Sequence, residues 1–224
     1  MSSARIDPAG LPFVAGAVLL AVIAGLAAGW MPAMPFAVLA GFFLFFFRDP
    51  DRQVRSRAGV VLSPADGRVL VAGPAVAGAG PPGEWQQISI FLSPMNVHVN
   101  RVPVSGRVTR VSYTPGKFLP AYHRDAAATN ERSEIWIDHE GQPVVARQIV
   151  GILARRVVCR LQTGATVQAG DRYGVMKFGS RMDVFLPITA GIRVTVGEAV
   201  RGGETVIAVL HSAVRGHQRP LPIS

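Results

Sequence analysis

Cysteine is almost missing from this sequence. The 224 residues hold one, Cys159, which excludes an intramolecular disulfide and any cysteine-based zinc site. It falls in Val157-Val158-Cys159-Arg160-Leu161, a run that reads as a strand, so Cys159 is read as a small core residue rather than a nucleophile. Charge is missing from a whole stretch: Pro8 to Phe47 is 40 residues without Asp, Glu, Lys or Arg. Residues 1–50 carry only Arg5, Asp7, Arg48 and Asp49, which cancel, so the formal net charge of +9 belongs to residues 51–224. There is no recognition helix, no aromatic-rich RNA-binding strand pattern and no zinc-finger spacing, which argues against nucleic acid as the partner of that basic part. Long helical periodicity is missing after about residue 60, and the hydrolase elbow G-x-S-x-G does not occur.

The uncharged stretch is itself informative. Leu11 to Trp30 is 20 residues, about 30 Å as a helix, which matches the hydrocarbon core of a bilayer. Pro32 and Pro35 interrupt it, and Phe36 to Phe47 forms a second apolar run. Gly41-Phe42-Phe43-Leu44-Phe45-Phe46-Phe47 has no polar face, so the pattern predicts a transmembrane or membrane-embedded helical hairpin, helices about 11–30 and 36–47, in an anchor of residues 1–50. The weak positive charge at the start and the second run argue against a cleaved signal peptide. Basic residues flank both outer ends, with Arg5 on one side and Arg48, Arg52, Arg55 and Arg57 on the other. That bias puts both ends and the globular part on the cytoplasmic side of the cell membrane. Juxtamembrane basic residues each gain about 1 kcal/mol near an anionic bilayer, which is the expected surface partner.

From about Val60 short Val/Ile-rich runs alternate with Gly and Pro. Examples are Gly67–Val71, Gln87–Leu92, Gly106–Val111, Ile135–Ile137, Val157–Leu161 and Val206–Leu210. They predict a mainly β domain over residues 58–212, followed by a polar tail over 213–224. Pro103-Val104-Ser105-Gly106-Arg107-Val108 is weakly repeated in Pro187-Ile188-Thr189-Ala190-Gly191-Ile192-Arg193-Val194. Such units build the flattened barrel of lipoyl and biotinyl carriers, so a flattened-barrel or sandwich-hybrid-like fold is expected.

Three segments carry residues with chemistry. Ser63-Pro64-Ala65-Asp66-Gly67-Arg68-Val69 supplies an Asp in what could be a simple turn. Phe91 to Pro103 supplies His98, and Gly174 to Pro187 supplies the pair Gly179-Ser180. Asp, His and Ser are the set that activates a hydroxyl: Ser as nucleophile, His as base, Asp to orient the His. Sequence alone leaves their proximity open.

In this order and spacing, the three segments resemble the phosphatidylserine decarboxylases, in particular the short bacterial and archaeal type. Further matching segments are Phe46-Phe47-Arg48-Asp49-Pro50, Asn130-Glu131-Arg132, Val150 to Arg156 and Gly170-Asp171-Arg172-Tyr173-Gly174. The resemblance covers about residues 42–210. It implies a proenzyme that cuts itself between Gly179 and Ser180. Ser180 becomes a covalent pyruvoyl group that forms a Schiff base with the substrate amine, and no metal is needed. It also implies that chains 1–179 and 180–224 stay associated, with a homo-oligomer allowed, and that phosphatidylserine is converted to phosphatidylethanolamine and CO2 in phospholipid biosynthesis. His98 is the expected general base and acid, and Asp66 the residue that orients it. Arg101 stands where longer members carry a second His; His123, His139, His211 and His217 match no motif. The rival reading is a biotinyl- or lipoyl-type carrier on a membrane anchor, with Lys177 of Val175-Met176-Lys177 as the acylated residue. It gives no work to Asp66, His98 or the Gly-Ser pair.

Overall fold

The computed structural model describes residues 5–54, 57–123, 125–152, 157–177 and 179–211. Arg55, Phe178, part of the Val150–Arg156 run and the expected 213–224 tail lie outside the described residues.

Two helices come first. A 3-10 turn at Pro8–Gly10, capped by the Asp7 carboxylate, leads into α1 (Leu11–Ala28), and α2 spans Trp30–Phe46. Pro8–Ala28 is long and apolar enough to cross a membrane, while α2 is shorter. Residues 31–35, which separate the two expected helices, are helical instead. The reversal is confined to Gly29, whose φ of +87° few L side chains adopt. Pro32 falls in the first turn of α2, where N–H groups lack intrahelical partners anyway. Pro35 costs the helix interior one hydrogen bond. Phe13, near the start of α1, meets Phe43 and Phe47 at the end of α2 with ring centroids 5.5 Å apart. Leu19, Leu26, Met31 and Val38 point outward and are exposed.

The remainder is mainly β. One antiparallel sheet runs in the order Thr166–Val167, Gly106–Thr114, Arg132–His139, Gln142–Ile149, Ser180–Pro187, Trp85–Leu92, Gly67–Pro74, Ala199–Val200. It curls into a half-barrel, helped by register shifts at Val69/Val71 and Val108/Arg110, which bend a strand as bulges do. A three-stranded sheet (Val157–Cys159, Arg172–Met176, Val99–Arg101) and another (Gly191–Ile192, Val206–Val209, Val60–Leu62) close it. Between them lies the core, with Ile88, Ile90, Leu92, Met182, Val184 and Leu186 from adjacent strands on one face. Cys159 packs at the edge of this core, as expected for a small apolar residue.

The main sheet is covered on its second face as well. Arg181, Asp183 and Phe185 are buried there. Arg181 binds both Asp183 oxygens (2.7 and 3.1 Å) and Ser89 Oγ (2.9 Å), and Gln87 donates to Asp183 at 3.2 Å.

The helical hairpin is fastened to this body at both ends. Asp7 receives Arg160 at 2.6 and 2.9 Å, and Arg5–Ile6 pairs with Arg48–Asp49. Asp49 receives Arg101 (3.1 Å) and Arg172 (2.5 Å). Phe46 and Phe47 are fully buried against Val97, Val99 and Val175.

Candidate active site

Ser180 opens the central strand of the main sheet, paired with Leu92, and is completely buried. Its Oγ has no hydrogen-bond partner among the described residues. A buried hydroxyl without a partner forfeits about 1–3 kcal/mol, so its retention points to use rather than packing. Gly179, just before it, has φ +72°, in the region L side chains avoid. The Gly179 carbonyl oxygen lies so close to the Gly151 Cα that a Cβ on Gly151 would overlap it.

The wall behind that carbonyl is held by Asn130, itself fully buried. Its Nδ2 donates to Leu119 O (2.8 Å) and Val150 O (2.9 Å), and its Oδ1 accepts from Leu119 N–H (3.0 Å). Two segments that carry the family resemblance without an evident role in the sequence, Asn130-Glu131-Arg132 and the run beginning Val150-Gly151, therefore meet at the Gly179–Ser180 junction. Their membership of the resemblance was the only signal that could have singled them out.

His98 lies just before the Val99–Arg101 strand, and its carbonyl accepts the Met176 N–H at 3.3 Å. Met176 ends the strand whose chain continues to Gly179 and Ser180, so the backbone brings His98 beside the segment that carries the junction. The imidazole is 1% exposed and stacks on Phe46, centroids 4.0 Å apart at 26°. Nδ1 is 2.9 Å from Asn96 O. A carbonyl only accepts, so Nδ1 carries the proton and Nε2 keeps its lone pair. Nε2 has no partner among the described residues. Burial pushes the imidazole pKa down to about 4, and the Arg48 charge adds to this, against the opposing pull of the Asn96 carbonyl. His98 is thus neutral at pH 7, the form that accepts a proton.

Asp66 does not stand where the sequence reading expects it. Its Oδ2 takes Arg52 Nη2 at 2.7 Å and its Oδ1 takes the Gly202 N–H at 2.8 Å. Asn96 O occupies the His98 nitrogen that Asp66 was expected to hold. In this structure, then, His98 is oriented by a backbone carbonyl and by stacking, and Asp66 fixes Arg52. Arg101 also has a definite place. Its Nη1 donates to Gly170 O (3.1 Å), and its Nη2 donates to Asp49 Oδ1 (3.1 Å) and Pro50 O (3.0 Å). It ties the Asp49–Pro50 segment to Gly170 of the β body. Lys177, the acylated residue of the carrier reading, sits with its ammonium 4.7 Å from the Phe13 ring of α1.

An apolar pocket of about 340 Å³ reaches Gly179 between Phe91, Pro94, Ala121, Tyr122 and Ile152. Tyr122 and Ile152 are exposed at its rim, as is nearby Met95. The arrangement offers a hydroxyl beside a carbonyl in glycine-only geometry, a neutral imidazole on the adjoining segment, and an apolar approach from outside.

Comparison with known proteins shows the family. The sequence profile described as phosphatidylserine decarboxylase matches residues 39–208. The phosphatidylserine decarboxylase proenzyme of Nitrosomonas europaea is 43% identical over 203 residues, covering 90% of this chain and 94% of that one. The protein of the same name from Ralstonia pickettii is 45% identical over 202 residues, with 90% and 94% covered. That from Granulibacter bethesdensis is 43% identical over 208 residues, with 91% and 84% covered. The molecule is a decarboxylase. It belongs to the phosphatidylserine decarboxylase family.

Proposed function

We propose that this chain is the precursor of a pyruvoyl-dependent enzyme that converts phosphatidylserine to phosphatidylethanolamine and CO2, and that Ser180 makes the pyruvoyl group by cutting the chain after Gly179. The observation that carries the reading is the buried Ser180 Oγ, without a hydrogen-bond partner among the described residues, next to a glycine held at φ +72°. A group made in place from Ser180 fits this spot, because it needs no added ligand and no metal.

His98 Nε2 takes the hydroxyl proton as Ser180 Oγ attacks the Gly179 carbonyl carbon. The C–N bond of the peptide breaks and an ester forms, freeing the Ser180 amine. Loss of the Ser180 α-proton then expels the Gly179 carboxylate and leaves a dehydroalanine, whose imine form is hydrolysed to the pyruvoyl group and ammonia. Once formed, that group supplies an electron sink for loss of CO2 from an amine-bearing substrate. The residues around it do the remaining work. His98 returns a proton to the product, and the pocket walled by Phe91, Tyr122 and Ile152 holds the apolar part of the lipid beside position 180. The apolar helices keep the enzyme in the membrane, with the β body on the cytoplasmic side near anionic head groups.

The test is Ser180→Ala in the full chain. The unchanged protein is expected to run as two chains on a denaturing gel, the smaller with 45 residues and a pyruvoyl-blocked end by mass spectrometry. Ser180→Ala is expected to stay whole and to release no CO2 from phosphatidylserine. Fragments of normal size from that variant would overturn the assignment.

A further inference from the structure

The end of the second apolar helix packs onto His98 more closely than a tether requires. Phe46 is the last residue of α2, fully buried, and its ring lies 4.0 Å from the imidazole at 26°. Two residues on, Arg48 grips the same loop from the other side. Its Nη1 donates to Phe45 O and its Nη2 to Met95 O, both at 2.7 Å. Met95 is next to Asn96, whose carbonyl orients His98. The hairpin is pinned to the body by Asp7–Arg160 at one end and by Asp49 with Arg101 and Arg172 at the other. The helix end cannot shift without uncovering the imidazole.

We propose that Phe46 is a positioning residue of the active site, capping and desolvating His98, so that correct seating of the membrane hairpin keeps self-cleavage running in mildly acidic conditions. The inference rests on the reading of His98 as the base. A boundary at residue 50 separates anchor from catalytic body in sequence, yet Phe46 and Phe47 share a buried cluster with Val97, Val99 and Val175. The anchor thereby becomes a sensor of its own insertion. A chain whose hairpin is not yet seated lacks one wall around its base, and ceases to mature at a higher pH.

The charge that weighs on His98 is that of Arg48, and the charged groups on the neighbouring segments are engaged elsewhere. Arg48, at the end of the anchor, disfavours protonation of the ring. Lys177 follows Met176, which bonds the His98 carbonyl, and its ammonium is drawn toward Phe13. On its own strand stands Arg101, paired with Asp49, while Asp66 is paired with Arg52. No carboxylate is in contact with the ring among the described residues, so the apolar cap is the main control over its protonation.

The experiment uses the full chain made by cell-free synthesis into phospholipid vesicles at low temperature, then jumped to buffers between pH 4 and pH 9, with cleavage followed on denaturing gels. Cleavage needs the neutral imidazole. In the unchanged chain the rate should therefore hold down to about pH 4, where the ring takes its proton. Phe46→Ala admits water to the ring and should move the midpoint up toward the ordinary value of about 6.5. A midpoint of about 6.5 would cut the rate at pH 5.5 about tenfold relative to pH 8. Phe46→Leu keeps an apolar cap and should keep a midpoint near the original, which separates the effect from mere misfolding. An unchanged profile in Phe46→Ala, while His98→Ala fails to cleave, would overturn this inference and leave the assignment of His98 standing. Cleavage of His98→Ala at the original rate would overturn both.

Discussion

At the scale of single residues, the junction between Gly179 and Ser180 is shaped by a residue that makes no side-chain contact because it has no side chain. Gly151 lies against the Gly179 carbonyl, and Asn130 holds the neighbouring Val150 carbonyl in place. Gly151→Ala would drive a methyl group into the carbonyl that Ser180 must attack. The carbonyl would have to turn or retreat, and a displacement of about 1 Å at a reacting centre costs about 10²-fold. We expect Gly151→Ala to fold, shown by a melting temperature within a few degrees of the Ser180→Ala chain, and to self-cleave about 100 times more slowly. Normal cleavage would show that the wall is not used. Sequence reading pointed to Gly179 and Ser180 through the family resemblance, since the pair by itself reads equally as a hairpin turn. It reached His98 as a residue and missed its orientation. Whether Nδ1 meets Asp66 or Asn96 O depends on a local turn, Ser93 to Asn96, closed by the Asn96 side chain on Ser93 (2.9 Å to its N–H), and no spacing rule predicts that choice.

At the scale of elements, the body strands rich in Val and Ile were legible, while Gln142–Ile149 and Ser180–Pro187 were not. Both carry charged or polar residues that are nonetheless buried, Arg147, Gln148, Arg181 and Asp183, and a periodicity rule treats such residues as exposed. They are buried because they satisfy one another, as Arg181 does with Asp183 and Ser89. The same logic governs the joint between anchor and body. Arg101 is buried and bonds Asp49, Pro50 O and Gly170 O. Removing one partner of a buried ion pair usually costs about 3–5 kcal/mol. Asp49 would still keep Arg172 at 2.5 Å, so no carboxylate is stranded and the loss should be smaller. Arg101→Met in the Ser180→Ala background should cost about 1–3 kcal/mol in denaturant titration. In the cleavable chain it should slow maturation less than tenfold, since the bonds of Arg101 tie elements together and go to neither His98 nor Ser180. A larger effect on cleavage than on stability would give Arg101 a part in the chemistry.

At the scale of the whole molecule, a cut after Gly179 falls at one end of the central strand of the main sheet. Ser180–Pro187 is hydrogen-bonded on both sides, to Trp85–Leu92 and to Gln142–Ile149. Further along the same fragment, Ala199–Val200 pairs with Gly67–Pro74 and Val206–Val209 with Val60–Leu62. The fragment buries Met182, Val184, Phe185, Leu186, Val194, Val200, Ile207 and Leu210 against the rest. Eight such side chains at about 1.5–3 kcal/mol each amount to roughly 12–24 kcal/mol of apolar burial, an upper figure because the separated chains would retain some structure. Apolar burial of this kind is not weakened by salt, whereas attraction between exposed charges is screened beyond about 8 Å at physiological ionic strength. The two chains should therefore co-purify in detergent through a tag placed on either one, at low salt and in 1 M salt alike, and part only in denaturant. Release of the 45-residue chain by salt alone would mean that charge holds the pieces together, and that the central strand leaves the sheet once the peptide bond is cut.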